Sequence, residues 1–306
     1  MKSLPLLRQA RWLEIAIDYR CNLRCIGCRA CLGGDEELPL ERALSWMRRA
    51  RASGVDRLWI GGGEPTLRPE LPSLLRAART LGFRERLVQT NGLRLAYVPY
   101  CQALIDGGLT SLRLNLKSAD ANLHDELCRT PGAHALLDRA LANLKETALS
   151  LTGDLLLTSR TLPGLPTTLR HYAARGIRTF SLWLLSAHDT DDPSLLGEIP
   201  SPMALVAALR SAVNIAIEIS VSIESLHTPW CMLPEDLHIL FRPAAEWGLV
   251  IIDPSDRSFS LEASPMEGGA YLPSCASCTR RPTCPGPRRD YLAAHGSEAF
   301  RPISPE

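Results

Sequence analysis

An α/β fold of parallel strands joined by crossover helices is predicted by three observations. Strand-like and helix-like runs alternate six times in just over 200 residues, the rhythm of parallel sheets whose strands are linked by helices. The chain has 306 residues, 45% of them apolar and 22% charged, enough to bury one large core or two smaller ones. Turns rich in cysteine or glycine follow each of the first three strands and therefore face one rim, the side on which barrels carry functional residues. An open doubly wound sheet and a full or partial barrel both satisfy these observations.

The elements follow in order. Leu13 to Asp18 (LEIAID) reads as a strand that runs straight into the first cysteine group. Leu40 to Ser53 has helical apolar spacing and Gly54 ends it. Arg57 to Ile60 is the second strand and leads into Gly61-Gly62-Gly63-Glu64-Pro65. A helix near Glu70 to Leu81, a strand at Leu87 to Gln89 ahead of Thr90-Asn91-Gly92, and a helix near Val98 to Asp106 come next. Strand Ser111 to Leu116, a helix within Ala133 to Leu149, strand Asp154 to Thr158, helix Thr167 to Arg175 and strand Thr179 to Leu185 continue the pattern, and Met203 to Val213 closes the sixth unit. From about Ile215 the rhythm changes: Ala216 to Ile223 reads as a strand, Glu235 to Trp247 as a helix, and Val250 to Leu261 as strand material interrupted by Pro254. Residues 1–214 are therefore expected to form the core domain. Residues 215–306, ending in the Pro-rich stretch Pro273 to Pro287, are expected to form a smaller module held together by metal, because they hold little apolar material.

Composition narrows the function. A formal net charge of +1 argues against phosphate-dominated nucleic-acid binding, which usually shows a large basic excess. Leu4 to Leu7 is too short for a signal-peptide core, and no run of about 18 apolar residues exists to span a membrane. The expected address is cytoplasmic. Ten cysteines in a reducing compartment read first as metal or iron–sulfur ligands rather than disulfides.

Cys21, Cys25 and Cys28 offer three thiolates within eight residues, the number that binds three irons of a cubane and leaves the fourth iron open to a second molecule. Three cysteines alone could also be a zinc site with a missing ligand. The CNLRC run after one strand and the IGGGEPTL run after the next resemble the radical S-adenosylmethionine superfamily, over roughly residues 11–190. The resemblance implies a partial (β/α)6 TIM-like barrel and a [4Fe–4S] cluster on Cys21, Cys25 and Cys28. It further implies S-adenosylmethionine chelated to the open iron and reductive cleavage to a 5′-deoxyadenosyl radical that abstracts a substrate hydrogen. Gly62 and Gly63 would let the strand end approach the methionine moiety, Glu64 would accept hydrogen bonds from its ammonium, and Pro65 would fix the turn. Asn115 and Ser159 become candidates for ribose or carboxylate contacts. The position before the third cysteine is usually aromatic in the family and is Gly27 here, so the adenine needs another wall, expected around Trp183 and Leu185.

Cys275, Cys278 and Cys284 are three further ligands seeking a fourth, and Cys231 is the one cysteine between the two groups that belongs to the same module. Four thiolates suit structural zinc or a closed [4Fe–4S] cluster, and spacing does not choose. The C-x2-C-x5-C run resembles the auxiliary-cluster modules, SPASM or twitch, appended to radical S-adenosylmethionine enzymes. Arg288 stands where the full module has another cysteine, which implies a single auxiliary [4Fe–4S] cluster. Cys101 reads as a buried core thiol. Cys128 and Cys31 are candidates for a hydrogen-atom donor at the radical site.

The leading expectation is an enzyme that modifies a peptide by crosslinking, oxidation or epimerisation. Such a reaction needs an electron donor such as flavodoxin or ferredoxin. No N-terminal leader-binding domain is expected, which weakens the peptide reading without excluding it, since a separate leader-binding protein can supply that grip. The alternative is a radical enzyme acting on a small metabolite such as a sugar, nucleoside or amino acid. A non-catalytic iron–sulfur or zinc protein is the reading from another class.

Overall fold

The computed structural model describes residues 5–28, 36–187, 192–226, 228–263 and 269–304; Cys31 lies outside them. Seven parallel strands run in sequence order across one sheet: β1 (Trp12–Ala16), β2 (Arg57–Gly61), β3 (Glu85–Thr90), β4 (Ser111–Leu116), β5 (Ser150–Leu157), β6 (Thr179–Leu184) and β7 (Ser222–Leu226). On the far side of β1, β8 (Leu249–Ile252) adds in parallel and β9 (Ser258–Ser260) pairs antiparallel with it. The result is the expected mixed α/β architecture with a mostly parallel, open sheet, extended by three strands beyond the six units read from the chain.

Helices cover the outer face because their apolar residues share a stripe. In α2 (Leu71–Thr80) the buried residues are Leu71, Leu74, Leu75 and Ala78, spaced three and four apart. Further helices are α1 (Leu40–Ala52), α3 (Val98–Gly107), α4 (Ala121–Cys128), α5 (Ala133–Leu144), α6 (Leu165–Ala173) and α7 (Pro202–Glu218). Asp120 caps α4 by accepting a hydrogen bond from the Leu123 amide, and this helix was not foreseen in the chain.

The C-terminal third departs from expectation in three places. Ala216 to Glu218 continue α7, because Ala216 extends the buried row Leu205, Leu209, Ala212; the strand therefore begins at Ser222 and residue 215 lies inside a helix. The helix expected over Glu235 to Trp247 is a 3₁₀ turn, Glu235–Leu240, followed by the short α8 (Ala244–Trp247), since Pro243 has no amide proton to continue a helix. The strands β7, β8 and β9 also join the main sheet rather than a separate one. Pro254 interrupts β8 and β9 as expected.

The tail docks where β6 ends. Arg288 donates to the Leu184 and Leu185 carbonyls, Asp290 accepts from the Ala187 amide at 2.9 Å, and Tyr291 donates to the Pro200 carbonyl at 3.1 Å. Arg288, noted for replacing a cysteine, thus anchors α9 (Arg289–His295) to the barrel. Among the described residues no helix is long and apolar enough to cross a membrane.

Candidate active site

Two loops at the strand ends are locked together by their backbones. The Gly63 amide donates to the Asp18 carbonyl at 2.7 Å and the Glu64 amide to the Arg20 carbonyl at 2.8 Å. Gly62 has φ of +117°, and a Cβ there would stand 2.3 Å from the Asp18 carbonyl oxygen; at Gly63 it would stand 2.2 Å from that of Arg20. Only glycine allows this approach. The two glycines thus hold the cysteine loop against the second strand end, a role closer at hand than the expected approach to methionine.

Glu64 is 1% exposed. Its Oε1 accepts from the Thr66 amide (3.0 Å), the Thr66 hydroxyl (2.6 Å) and the Thr90 hydroxyl (2.7 Å), and its Oε2 from the Asn91 amide (2.7 Å). Burial raises the pKa of the carboxyl, and the four hydrogen bonds oppose that rise. The carboxylate therefore ties the second strand end to the third. Oε2, with one partner here, keeps acceptor capacity for a ligand. Pro65 opens the 3₁₀ turn Pro65–Leu67 that presents the Thr66 donors.

Cys21, Cys25 and Cys28 sit half-buried on one loop. The loop is braced on the end of α4: the Ile26 amide donates to the Leu127 carbonyl at 2.9 Å and the Arg24 amide to that of Cys128 at 3.4 Å. The Leu23 amide points at Cys21 Sγ, 3.3 Å away. Burial pushes the Cys21 thiol up to about 12, whereas a hydrogen bond from Cys128 lowers Cys25 to about 7. Asn91, which reads in sequence as a plain turn residue, reaches this loop: its Nδ2 donates to Asn22 Oδ1 at 2.8 Å and stands 3.9 Å from Cys21 Sγ. Gly27 has φ of +65° and a Cβ there would strike Leu185 Cδ1 at 2.3 Å. Leu185 thus fills the place beside Gly27, while Trp183 packs with Trp12, Trp59 and Trp247 inside the sheet's curve.

Three expected residues have other partners. Cys128 is 2% exposed and its side chain bonds Cys25, one of the three loop thiols. Ser159 is exposed and donates to the Glu198 carbonyl at 3.2 Å. Asn115 Oδ1 accepts from Lys117 Nζ at 2.5 Å.

The concave face of the sheet holds a charge network that sequence reasoning missed. Arg113 pairs with Asp154 at 2.5 Å, Gln89 donates to Asp154 at 3.0 Å, and Arg113 bonds Ser181, whose hydroxyl donates to Glu224 at 2.6 Å. The guanidinium lies 4.9 Å from the Trp59 ring and 5.5 Å from that of Trp247. Burial pushes the nearby Glu14 carboxyl up to about 7, with Arg113 opposing it.

In the C-terminal region Cys231, Cys275, Cys278 and Cys284 line one pocket with Trp230 and Tyr271. Burial pushes the Cys231 thiol up to about 12. The Gly286 amide points at Cys284 Sγ, 3.4 Å away, and the Cys231 carbonyl accepts from the Arg301 amide at 2.9 Å. Cys101 is a buried core thiol, as expected.

A curved parallel sheet with a three-thiol loop at its strand ends defines an enzyme class built around an iron–sulfur cubane. Residues 15–182 match the family described as the Radical SAM superfamily, and the chain belongs to that superfamily. It is 32% identical over 173 residues to a probable GTP 3′,8-cyclase of Methanopyrus kandleri, covering 54% of each chain. It is 30% identical over 135 residues to the GTP 3′,8-cyclase of Marinobacter nauticus, covering 43% of this chain and 40% of that one. The matches thus span about half the length of these relatives. Among solved structures, Streptococcus suis SuiB bound to S-adenosylmethionine superposes with a TM-score of 0.70 at 16% identity, over 96% of this chain and 76% of that one. The anSMEcpe enzyme with bound AdoMet and the Cp18Cys peptide gives 0.66 at 14%, over 95% and 92%. These two share the fold.

The protein is therefore an enzyme that uses a [4Fe–4S] cluster and S-adenosylmethionine, and the non-catalytic reading is set aside. The donor set fits such a cluster: three half-buried thiols on one loop, walled by Leu23 and Leu93.

Proposed function

We propose that this enzyme abstracts a hydrogen atom from a small metabolite held at the strand ends. The observation that carries this reading is the 30–33% identity to enzymes named as GTP 3′,8-cyclases over the barrel core; the peptide reading expected from the cysteine tail has only a fold likeness behind it. In this reading Cys21, Cys25 and Cys28 hold the cluster. When bound, the cluster and S-adenosylmethionine supply a reductively generated carbon radical. Gly62, Gly63, Glu64 and Pro65 frame the methionine end, with Oε2 of Glu64 taking an ammonium donor beside the Asn91 amide. Leu185 serves as an apolar wall for the adenine. Lys117 and Asn115, at the end of β4, present a polar pair to the ribose or the substrate, and Ser159 stands aside.

Below the mouth, the Arg113 and Asp154 network with its tryptophans forms a floor that excludes water. Cys231, Cys275, Cys278 and Cys284 hold one auxiliary [4Fe–4S] cluster in the C-terminal region. An electron donor of the flavodoxin or ferredoxin kind reduces the enzyme. A reducing cytoplasm keeps its thiols available for iron.

The test is substrate-stimulated turnover. Reconstituted protein is reduced with dithionite in the presence of S-adenosylmethionine, and 5′-deoxyadenosine is quantified with GTP, with a protein-free metabolite extract and with a peptide fraction. Stimulation by GTP or the metabolite extract is expected. Stimulation by the peptide fraction alone would return the assignment to peptide modification.

A further inference from the structure

We propose that His134, Asp138 and His171 form a mononuclear site for a divalent ion of the zinc class, stapling α5 to α6 away from both cysteine groups. His134 and Asp138 are one helical turn apart on α5 and so share a face; His171 comes from α6. One ligand atom from each lies within 4.8 Å of the other two, and among the described residues this is the one group of three or more histidine, cysteine or carboxylate ligands to do so. His134 Nε2 is buried with no hydrogen-bond partner and His134 is only 8% exposed, whereas Asp138 Oδ1 is ion-paired to Arg175 Nε at 2.9 Å and faces His171 Nε2 at 3.5 Å.

Buried polar atoms are rarely left unpaired. His134 Nε2 converges on the Asp138 and His171 pair without a partner of its own, and an ion shared among the three would supply one. His171 Nε2 and Asp138 Oδ1 stand 3.5 Å apart, beyond good hydrogen-bond length. A cation at that point would accept a lone pair from each of the three, with both imidazoles presenting an unprotonated Nε2.

The surroundings suit that occupant. Two imidazoles and a carboxylate are a donor set for zinc. Arg175 contacts Asp138 through Nε to Oδ1 at 2.9 Å and Nη2 to Oδ2 at 3.1 Å, orienting the carboxylate as outer partners of ligating groups do. Its charge also opposes a cation, which sets a modest affinity. Burial and Arg175 lower the His171 pKa, favouring the neutral imidazole that binds metal. The His124 ring packs edge-on to His134 with centroids 5.3 Å apart; burial pushes His124 down to about 4, so it adds no positive charge.

The experiment loads reconstituted full-length protein with zinc alone, strips loose metal on a chelating resin, and measures zinc and iron per chain beside His134→Gln, Asp138→Asn and His171→Gln. The wild type should retain about one zinc, bound by nitrogen and oxygen at about 2.0–2.2 Å with no sulfur in the zinc X-ray absorption fine structure. Each variant should lose that zinc and keep its iron. Zinc should raise the wild-type melting temperature and leave the variants unmoved. Equal zinc in wild type and variants, or none in either, overturns the proposal. A sulfur shell around the wild-type zinc overturns it too, since the ion would then sit on cysteines. A variant that misfolds shows itself by losing iron, and the wild-type fine structure then decides.

Discussion

Glu64 shows how one side chain serves the strand ends and the cofactor at once. Removing its carboxylate strands donors from Thr66, Thr90 and Asn91 in a dry site, and each unsatisfied buried donor costs about 1–3 kcal/mol. Glu64→Ala should therefore destabilise the fold by about 3 kcal/mol or more and lower iron retention, as read by urea denaturation and iron content, whereas Glu64→Gln should cost less because one acceptor oxygen remains. Glu14 makes a second residue-level prediction. Its carboxyl is raised from the ordinary 4.5 to about 7 by burial, so between those values the folded state binds more protons than the unfolded state. Stability must then fall as pH rises through that window, and the proton-linked term should vanish in Glu14→Gln. Denaturation midpoints from pH 4.5 to 7.5 for both proteins check this; parallel profiles would show that Glu14 does not titrate there. The cysteine spacing and the glycine run were legible in sequence because their chemistry is local. The partners of Glu64 were not, since Thr90 and Asn91 lie 26 and 27 positions away and only the parallel register brings them together. Arg113 and Asp154 were missed for a related reason: a charged strand residue facing the inner curve looks, in one dimension, like one facing solvent.

At the scale of elements, helices were legible wherever an apolar stripe ran unbroken, as in α2, and misread where the stripe and the breakers disagreed. Ala216 belongs to α7 by its spacing, although the β-branched residues around it suggested a strand. Pro243 broke an otherwise helical run. The docking of α9 was invisible, because Arg288 and Asp290 act on carbonyl and amide groups of residues about 100 positions earlier. That dock should be mechanically distinct from the barrel. Arg288→Ala leaves Asp290, 2% exposed, buried without its cation, a loss worth about 3–5 kcal/mol. Limited proteolysis should then cut the chain from about residue 269 onward in Arg288→Ala while the barrel stays intact. Cleavage that spreads equally through both parts would mean that tail and barrel unfold as one unit.

At the scale of the whole molecule, the sheet gathers both cysteine groups toward the ends of parallel strands. The first group follows β1, and Cys231 follows β7, which is parallel to it in the same sheet. A cubane on each group gives about eight irons per chain, and Cys231→Ala should lower iron by up to about four while Cys101→Ala, deep in the core, should lower none. The central claim is that the loop of Cys21, Cys25 and Cys28 is where S-adenosylmethionine is cleaved. Its most direct test compares the wild type with the triple variant Cys21→Ala, Cys25→Ala, Cys28→Ala, each reconstituted without oxygen, reduced with dithionite and assayed for 5′-deoxyadenosine. The wild type should form it, and the variant should form none while keeping the iron of the C-terminal group. Formation of 5′-deoxyadenosine by the triple variant would contradict the account.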